Sequence, residues 1–171
     1  ITLFDIIEPP YPNNTNIPIQ SKSGDISDID VSKNLILSKP DIIFHLAAIV
    51  SGQAEQEFDL GWDINAKGSW GLFEAIRHQG ENYCPRLVFT SSIAVFGAPF
   101  PDKIPDDFFT TPLTSYGAQK AISELLLADY SRKKMIDGVS IRLPTICVRP
   151  GKPNLCLLYT SDAADDTLWG E

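Results

Sequence analysis

Three apolar runs in which polar and apolar residues do not alternate constrain the fold most. They span residues 41–48, 86–96 and 138–148. Strands that are apolar at successive positions are typical of a parallel sheet covered on both faces. Residues 60–79 and 115–133 carry apolar side chains at three- and four-residue spacing, which predicts helices between the strands. This order predicts an α/β fold with a doubly wound parallel sheet.

The first 40 residues continue the alternation. Residues 1–7 are strand-like, and residues 30–38 have helical spacing. Between them, residues 9–27 are rich in Pro, Asn and Ser and predict a loop with room for one short strand. With 171 residues, the chain has the length of one ordinary domain.

The last residues differ in character from the rest. Residues 155–171 carry four acids and no base, and they resemble one reading frame of a transposon-type DNA sequencing adapter. We therefore divide the chain into a domain at 1–154 and a non-native tail at 155–171. The alternative is a genuine acidic C-terminal tail, and either way the tail is left out of the fold prediction.

Composition excludes several classes of function. The chain has 14 Lys and Arg against 22 Asp and Glu, which argues against a nucleic-acid surface because such surfaces cluster basic residues. No apolar run approaches the roughly 18–20 residues of a membrane helix, and no basic region precedes the first apolar stretch. Three widely spaced cysteines favour reduced thiols over a metal site. A cytoplasmic location is therefore expected.

Tyr116 and Lys120 form a Tyr-x-x-x-Lys pattern within the predicted helix at 115–133. Residues four apart lie on one face of a helix, so the ammonium group stands beside the phenol. A neighbouring positive charge favours the phenolate form. A phenol tuned in this way can take a proton from a substrate alcohol while hydride leaves its carbon.

Tyr130 and Lys134 repeat the pattern at the far end of the same helix. The two tyrosines are separated by about 21 Å along a helix axis, so one of them at most lies at the chemistry. Sites in doubly wound sheets lie beyond the carboxyl ends of the strands, where the following helix begins. This favours Tyr116 and leaves Tyr130 in a solvated pair.

Ser92 ends a strand-like run and precedes Tyr116 by 24 residues. Alone, a serine at a strand end is typical of a turn. With Tyr116 and Lys120 it resembles the catalytic Ser, Tyr and Lys of the extended short-chain dehydrogenases/reductases, the NAD-dependent epimerase/dehydratase group. The resemblance covers most of residues 1–154. It implies a Rossmann-like domain, catalytic roles for these three residues, and a homodimer formed through 60–79 and 115–133.

The resemblance also implies which residues bind NAD. Residues 45–48 match the strand-end segment beside the dinucleotide, Asn65 and Gly68 match an Asn-x-x-Gly helix start, and 24–26 match an Asp-Ile pair that meets the adenine. The implied cofactor-binding residues are Asp5, Asp25, Ile26, Leu46, Ala47, Ala48, Asn65, Tyr116, Lys120 and Pro144.

Asp5 ends the first strand-like run and favours NAD over NADP. An acid there accepts hydrogen bonds from ribose hydroxyls and repels a 2′-phosphate. No Arg or Lys follows it before Lys22. The alternative for Asp5 is a helix cap or a turn. The family's Gly-rich phosphate loop, which precedes such an acid by about 20 residues, is missing, so we expect an internal fragment without the first strand.

Segments 96–108, 112–117 and 143–154 resemble a subgroup that oxidises the C2 hydroxyl of D-erythronate, a four-carbon sugar acid, with NAD. This implies Ser92, Thr145 and Arg149 as substrate-binding residues. A cationic Arg149 suits a carboxylate substrate, although a solvated basic loop is the alternative. Phe96 stands where nucleotide-sugar epimerases commonly carry Tyr.

Three other functions stay open at this point. A nucleotide-sugar epimerase or dehydratase shares the Ser, Tyr and Lys set. A non-catalytic, dinucleotide-sensing regulator on the same fold is another, although such proteins typically lack the Tyr or the Lys. The last is an incomplete translation product that is inactive by itself.

Overall fold

A computed structural model describes residues 1–12 and 16–144 of the chain. The tail at 155–171 and the predicted substrate residues Thr145 and Arg149 lie outside the described residues. The described elements are β1 (Thr2–Asp5), β2 (Gln20–Ser23), α1 (Ile29–Ile36), β3 (Ile42–His45), α2 (Ser51–Gln56), α3 (Phe58–Gly61), a π-helix (Trp62–Gly68), α4 (Ser69–Arg77), β4 (Arg86–Ser92), a 3₁₀ turn (Ile93–Val95), α5 (Ser115–Arg132) and β5 (Asp137–Leu143).

The strands form two parallel sheets. β1 pairs with β2, while β3, β4 and β5 form a second sheet in that order. Parallel strands need crossover connections: α2 to α4 with the π-helix connect β3 to β4, and α5 connects β4 to β5. The predicted parallel α/β architecture is therefore confirmed, and the loop predicted at 9–27 contains β2 as its short strand.

The core lies between the larger sheet and its helices. Leu87 and Phe89 on β4 are fully buried, and they pack with a cluster that joins α1, α4 and α5. The other members are Ile36, Leu72, Phe73, Ala75, Ile76, Leu127 and Ile136. Each buried Leu, Ile or Phe contributes roughly 1.5–3 kcal/mol, so this cluster fixes the helices against one face of the sheet.

The opposite face of the larger sheet differs from the expectation of burial on both sides. Phe44 on β3 is 66% exposed, and Val139 and Ile141 on β5 are each 44% exposed. The strand register places these residues beside Val88 and Thr90 on one face. They are exposed because none of the described helices packs against that face.

The helix predicted at 60–79 is observed as a continuous helical stretch of three segments. α3 runs into the π-helix Trp62–Gly68, which runs directly into α4. Such wide turns often occur at functional sites. Here the wide turn contains Asn65, one of the residues that the family resemblance assigns to the cofactor.

Candidate active site

The carboxyl ends of β3, β4 and β5 form the edge of the sheet where the site was predicted. β4 and β5 end side by side at Ser92 and Leu143, whereas β3 ends at His45, which pairs with Phe89, three residues before the end of β4. His45 is buried, and its Nε2 donates to the Ser69 hydroxyl at 2.9 Å, because that hydroxyl donates its own proton to the Asn65 carbonyl. Burial and the charge of Lys120 lower the pKa of His45 to about 3, so its imidazole is neutral at physiological pH.

Lys120 on α5 reaches the end of β4. Its side chain is 2% exposed, and Nζ donates to the Thr90 carbonyl at 2.8 Å. The ammonium lies 4.8 Å from the centre of the Phe89 ring and 5.6 Å from that of Tyr116. Burial lowers the pKa of Lys120 to about 8, because water no longer solvates its charge.

Tyr116 is the second residue of α5, so it lies in the first turn as predicted. Thr114 caps this turn by accepting a hydrogen bond from the Gly117 amide at 3.0 Å. A Cβ placed on Gly117 would lie 2.1 Å from the Ala94 carbonyl oxygen. Glycine at this position therefore allows the helix to approach the turn that follows Ser92.

Ser92 is half-buried and caps the 3₁₀ turn after β4. Its hydroxyl accepts a hydrogen bond from the Ala94 amide at 3.2 Å, which leaves the O–H able to donate. Thr90, two residues earlier on β4, holds Lys120 through its carbonyl. The structure thus places Lys120 and the Tyr116 turn against the strand end that carries Ser92.

Tyr130 has a different environment near the other end of α5. Its hydroxyl donates to the Glu74 carboxylate, which Arg77 also binds. Burial and this hydrogen bond raise the pKa of Tyr130 to about 12. Tyr130 is therefore held in its protonated form, which is unsuited to a general base.

Asn65 lies in the π-helix and contacts the segment that leaves β3. Its Oδ1 accepts from the Ile49 amide at 2.9 Å, and its Nδ2 donates to the Gln119 side chain at 2.8 Å. Leu46 is 63% exposed at this edge. The exposed Ala48 and the half-buried Ala47 belong to the same segment, and Pro144 follows the neighbouring β5.

The residues predicted for the adenosine half of NAD belong to the smaller sheet. Asp5 ends β1, where it accepts a hydrogen bond from the Ile6 amide at 2.6 Å. Asp25 follows β2 and accepts hydrogen bonds from both the amide and the hydroxyl of Ser27. Ile26 is buried and packs close to Gly68. These residues belong to the sheet of β1 and β2, whereas Lys120 lies at the end of β4 in the larger sheet.

Sequence reasoning missed three side chains around the site. Gln119 binds Asn65 from 54 residues away, the Glu55 carboxylate accepts from the Ser115 amide at the start of α5, and Glu124 pairs with Arg142 at 2.8 Å. All three contacts join different elements, so no local pattern identifies them.

Comparison with known proteins agrees with this geometry. The model of the NAD dependent epimerase/dehydratase family matches residues 7–154. The chain belongs to this family. It is 47% identical over 154 residues to the D-erythronate dehydrogenase of Cupriavidus necator, covering 90% of this chain and 46% of that protein. It is 43% identical to the D-erythronate dehydrogenase of Haemophilus influenzae, covering 100% of this chain and 54% of the relative.

A solved structure shows the same fold. The nucleoside-diphosphate-sugar epimerase from Agrobacterium tumefaciens superposes with a TM-score of 0.85 at 57% identity, over 90% of this chain and 45% of that one. The chain thus spans about half the length of the proteins it matches. No helix among the described residues is long and apolar enough to cross a bilayer.

The donor groups at the strand ends fit one half of a dinucleotide. Lys120 has three N–H groups and donates one of them to Thr90, so two suit the hydroxyls of a nicotinamide ribose. Leu46 and Ala48, which follow β3, are both exposed. The fit therefore concerns the nicotinamide half.

Proposed function

We propose that this chain is part of a longer NAD-dependent dehydrogenase that oxidises D-erythronate at C2 to 2-dehydro-D-erythronate. The observation that carries the proposal is the placement of Lys120 and the Tyr116 turn against the carboxyl end of β4. That arrangement suits removal of a proton from an alcohol. The 47% and 43% identity to two D-erythronate dehydrogenases supports the substrate class.

Each of the three proposed catalytic residues has a distinct role. Tyr116 takes the proton of the C2 hydroxyl. Lys120, with its pKa lowered to about 8, stabilises the phenolate and binds ribose hydroxyls. Ser92 donates its free O–H to the substrate oxygen and orients it. NAD, when bound, accepts the hydride.

The proposed cofactor is NAD, not NADP. Asp5 at the end of β1 is exposed. A carboxylate there accepts hydrogen bonds from ribose hydroxyls and repels a 2′-phosphate. We expect the full-length enzyme to prefer NAD at least tenfold in kcat/KM, and Asp5→Ser to reduce this ratio. Equal use of NADP by the wild-type enzyme would contradict the assignment.

A substrate panel tests the reaction. Full-length enzyme is incubated with NAD and D-erythronate, L-erythronate, D-threonate, D-gluconate or UDP-glucose, and NADH is followed at 340 nm. We expect the highest kcat/KM with D-erythronate. Ser92→Ala and Tyr116→Phe serve as inactive controls, which show that turnover belongs to this site.

A second candidate is a nucleotide-sugar epimerase. The solved structure named as a nucleoside-diphosphate-sugar epimerase shares 57% identity with this chain, more than either dehydrogenase. Interconversion of UDP-sugars without net NADH formation, together with no turnover of D-erythronate, would favour this function.

We further propose the organisation of the whole protein. Residues 1–154 belong to its NAD-binding domain, and residues 155–171 are a non-native tail. The helices at 60–79 and 115–133 form a homodimer interface, a role supported by Trp70 and Leu125, which are 48% and 67% exposed on α4 and α5. We expect the enzyme in the cytoplasm, acting on a small sugar acid without metal, nucleic acid or membrane.

A further inference from the structure

Asn65 clamps the backbone of the segment that leaves β3. Its side chain is 1% exposed. Oδ1 accepts from the Ile49 amide at 2.9 Å, and Nδ2 donates to the Ile49 carbonyl at 3.3 Å. Two hydrogen bonds of opposite polarity to one residue determine which end of the Asn65 amide carries the oxygen.

Gln119 completes the clamp from α5. Its Oε1 accepts the remaining N–H of Asn65 at 2.8 Å, and its side chain is fully buried. Because Asn65 presents a donor on this side, Gln119 must present its oxygen. Gln119 Nε2 is then left buried without a hydrogen-bond partner among the described residues.

An unpaired buried N–H destabilises the folded state, so an apolar side chain of similar size would suit position 119 better as simple packing. Gly61 adds to this cost. A Cβ on Gly61 would lie 2.8 Å from Gln119 Nε2, so the glycine keeps room for the amide. The unpaired Nε2 and the glycine at position 61 are both compatible with the hydrogen bond between Gln119 and Asn65.

We propose that Gln119 is a positioning residue for the cofactor. Through Asn65 it sets the distance between α5, which carries Tyr116 and Lys120, and the strand-exit segment 46–49. Gln119 directly precedes Lys120, so the same turn of helix positions both. The inference rests on the proposed binding of NAD to segment 46–48.

Gln119→Met in the full-length enzyme is the first test. Methionine keeps the length of the side chain and removes the acceptor for Asn65. We expect KM for NAD to rise about tenfold, while kcat stays within twofold and the pH profile is unchanged, because Tyr116 and Lys120 remain. Ser131→Ala is the matched control: it removes a half-buried hydroxyl of the same helix that binds Leu127 and Gly138, and should alter neither constant.

Gly61→Ala approaches the same contact from the other side and keeps every hydrogen-bonding group. We expect it to raise KM for NAD about fivefold by displacing Gln119. In a Gln119→Ser background the 2.8 Å contact is removed and the nearest remaining neighbour is Ala54 at 3.1 Å, so the added Gly61→Ala should raise KM by clearly less than it does in the wild type. If Gln119→Met does not fold, the comparison of Gly61→Ala in the wild type and in Gln119→Ser tests the role of Gln119 by itself.

Three results would overturn the inference: an unchanged KM for NAD in Gln119→Met, a loss in kcat alone, or additive effects of Gly61→Ala and Gln119→Ser. Each leaves the proposed function standing if the wild-type enzyme turns over with NAD. A wild-type enzyme that neither binds nor uses NAD would instead overturn the proposed function and the inference together.

Discussion

At the scale of single residues, Tyr116 and Tyr130 share a sequence pattern but have opposite environments. Tyr116 lies in the first turn of α5 with the Lys120 ammonium 5.6 Å from its ring. Tyr130 donates to Glu74, and its pKa is raised to about 12. A phenol acts as a general base only as its phenolate. The environment of Tyr130 opposes formation of the phenolate, whereas the ammonium group beside Tyr116 favours it.

We expect Tyr116→Phe to lower kcat of the full-length enzyme by at least ~10², the size of a typical acid–base contribution. Tyr130→Phe on the same helix is the matched control, and its kcat should stay within threefold. Steady-state kinetics with NAD and D-erythronate measures both variants. A larger loss in kcat at Tyr130 would assign the base to Tyr130 instead of Tyr116.

Lys120 predicts a pH dependence of stability. Its pKa falls from the ordinary 10.5 to about 8 because burial removes the ammonium from water. Between these two values the unfolded chain binds more protons than the folded one, so the free energy of unfolding rises with pH. Below about pH 8 the folded protein bears the full cost of the buried charge.

Lys120→Met should therefore gain stability relative to wild type near pH 7 and lose that advantage towards pH 10.5. The shift in the pKa of Lys120 corresponds to a change of roughly 2–4 kcal/mol in the free energy of unfolding between about pH 8 and pH 10.5. Urea unfolding of the full-length enzyme at pH 7.5, 9 and 10 measures the difference. Lys133→Met, at an exposed residue directly after α5, is the control variant.

At the scale of elements, the start of α5 and the turn after β4 meet through backbone. Gly117 lies so close to the Ala94 carbonyl that a Cβ would be 2.1 Å from its oxygen. The Arg142–Glu124 pair ties the middle of α5 to β5 at 2.8 Å. Together these contacts set where the helix begins relative to the strand end that carries Ser92.

Gly117→Ala should separate the helix from the turn. Overpacking of this kind typically costs about 1–3 kcal/mol, and we expect a parallel loss in kcat because Tyr116 moves with the helix. Gly71→Ala is the control: on α4 its Cβ would meet the flexible end of Ile29 at 3.2 Å, and alanine favours a helix by about 1 kcal/mol over glycine. Thermal unfolding measures the stability of both variants, and we expect Gly117→Ala to be the less stable. A greater loss of stability in Gly71→Ala would contradict this expectation.

At the scale of the whole molecule, the described strands leave two sheets with open edges. β1 pairs with β2 alone and β3 with β4 alone among the described strands. The larger sheet also exposes Phe44, Val139 and Ile141 on one face. Open parallel edges beside an apolar face favour association with other chains.

We therefore expect the 171-residue chain, expressed alone, to be aggregation-prone or molten, and to show no NAD binding at millimolar cofactor. The 171 residues themselves contain no Gly-x-Gly-x-x-Gly loop, the segment that usually binds the pyrophosphate at a helix N-terminus. Light scattering, near-UV circular dichroism and calorimetry test this, and deletion of residues 155–171 should change nothing. A soluble chain that unfolds cooperatively and binds NAD would refute the expectation.

The sequence by itself determined the order of strands and helices, because the periodicity of apolar residues is a local property. It also placed Tyr116 and Lys120 on one helix face and Ser92 at a strand end, since both follow from spacing within one element. The functional assignments of these residues stay predictions.

The tertiary structure alone decided which distant groups meet. Gln119 binds Asn65 across 54 residues, and the burial that lowers the pKa of Lys120 comes from packing against β4. It also showed that one face of the larger sheet is uncovered by the described helices. Such features depend on contacts between elements, and spacing along a chain does not encode which elements will pack or how much water their packing excludes.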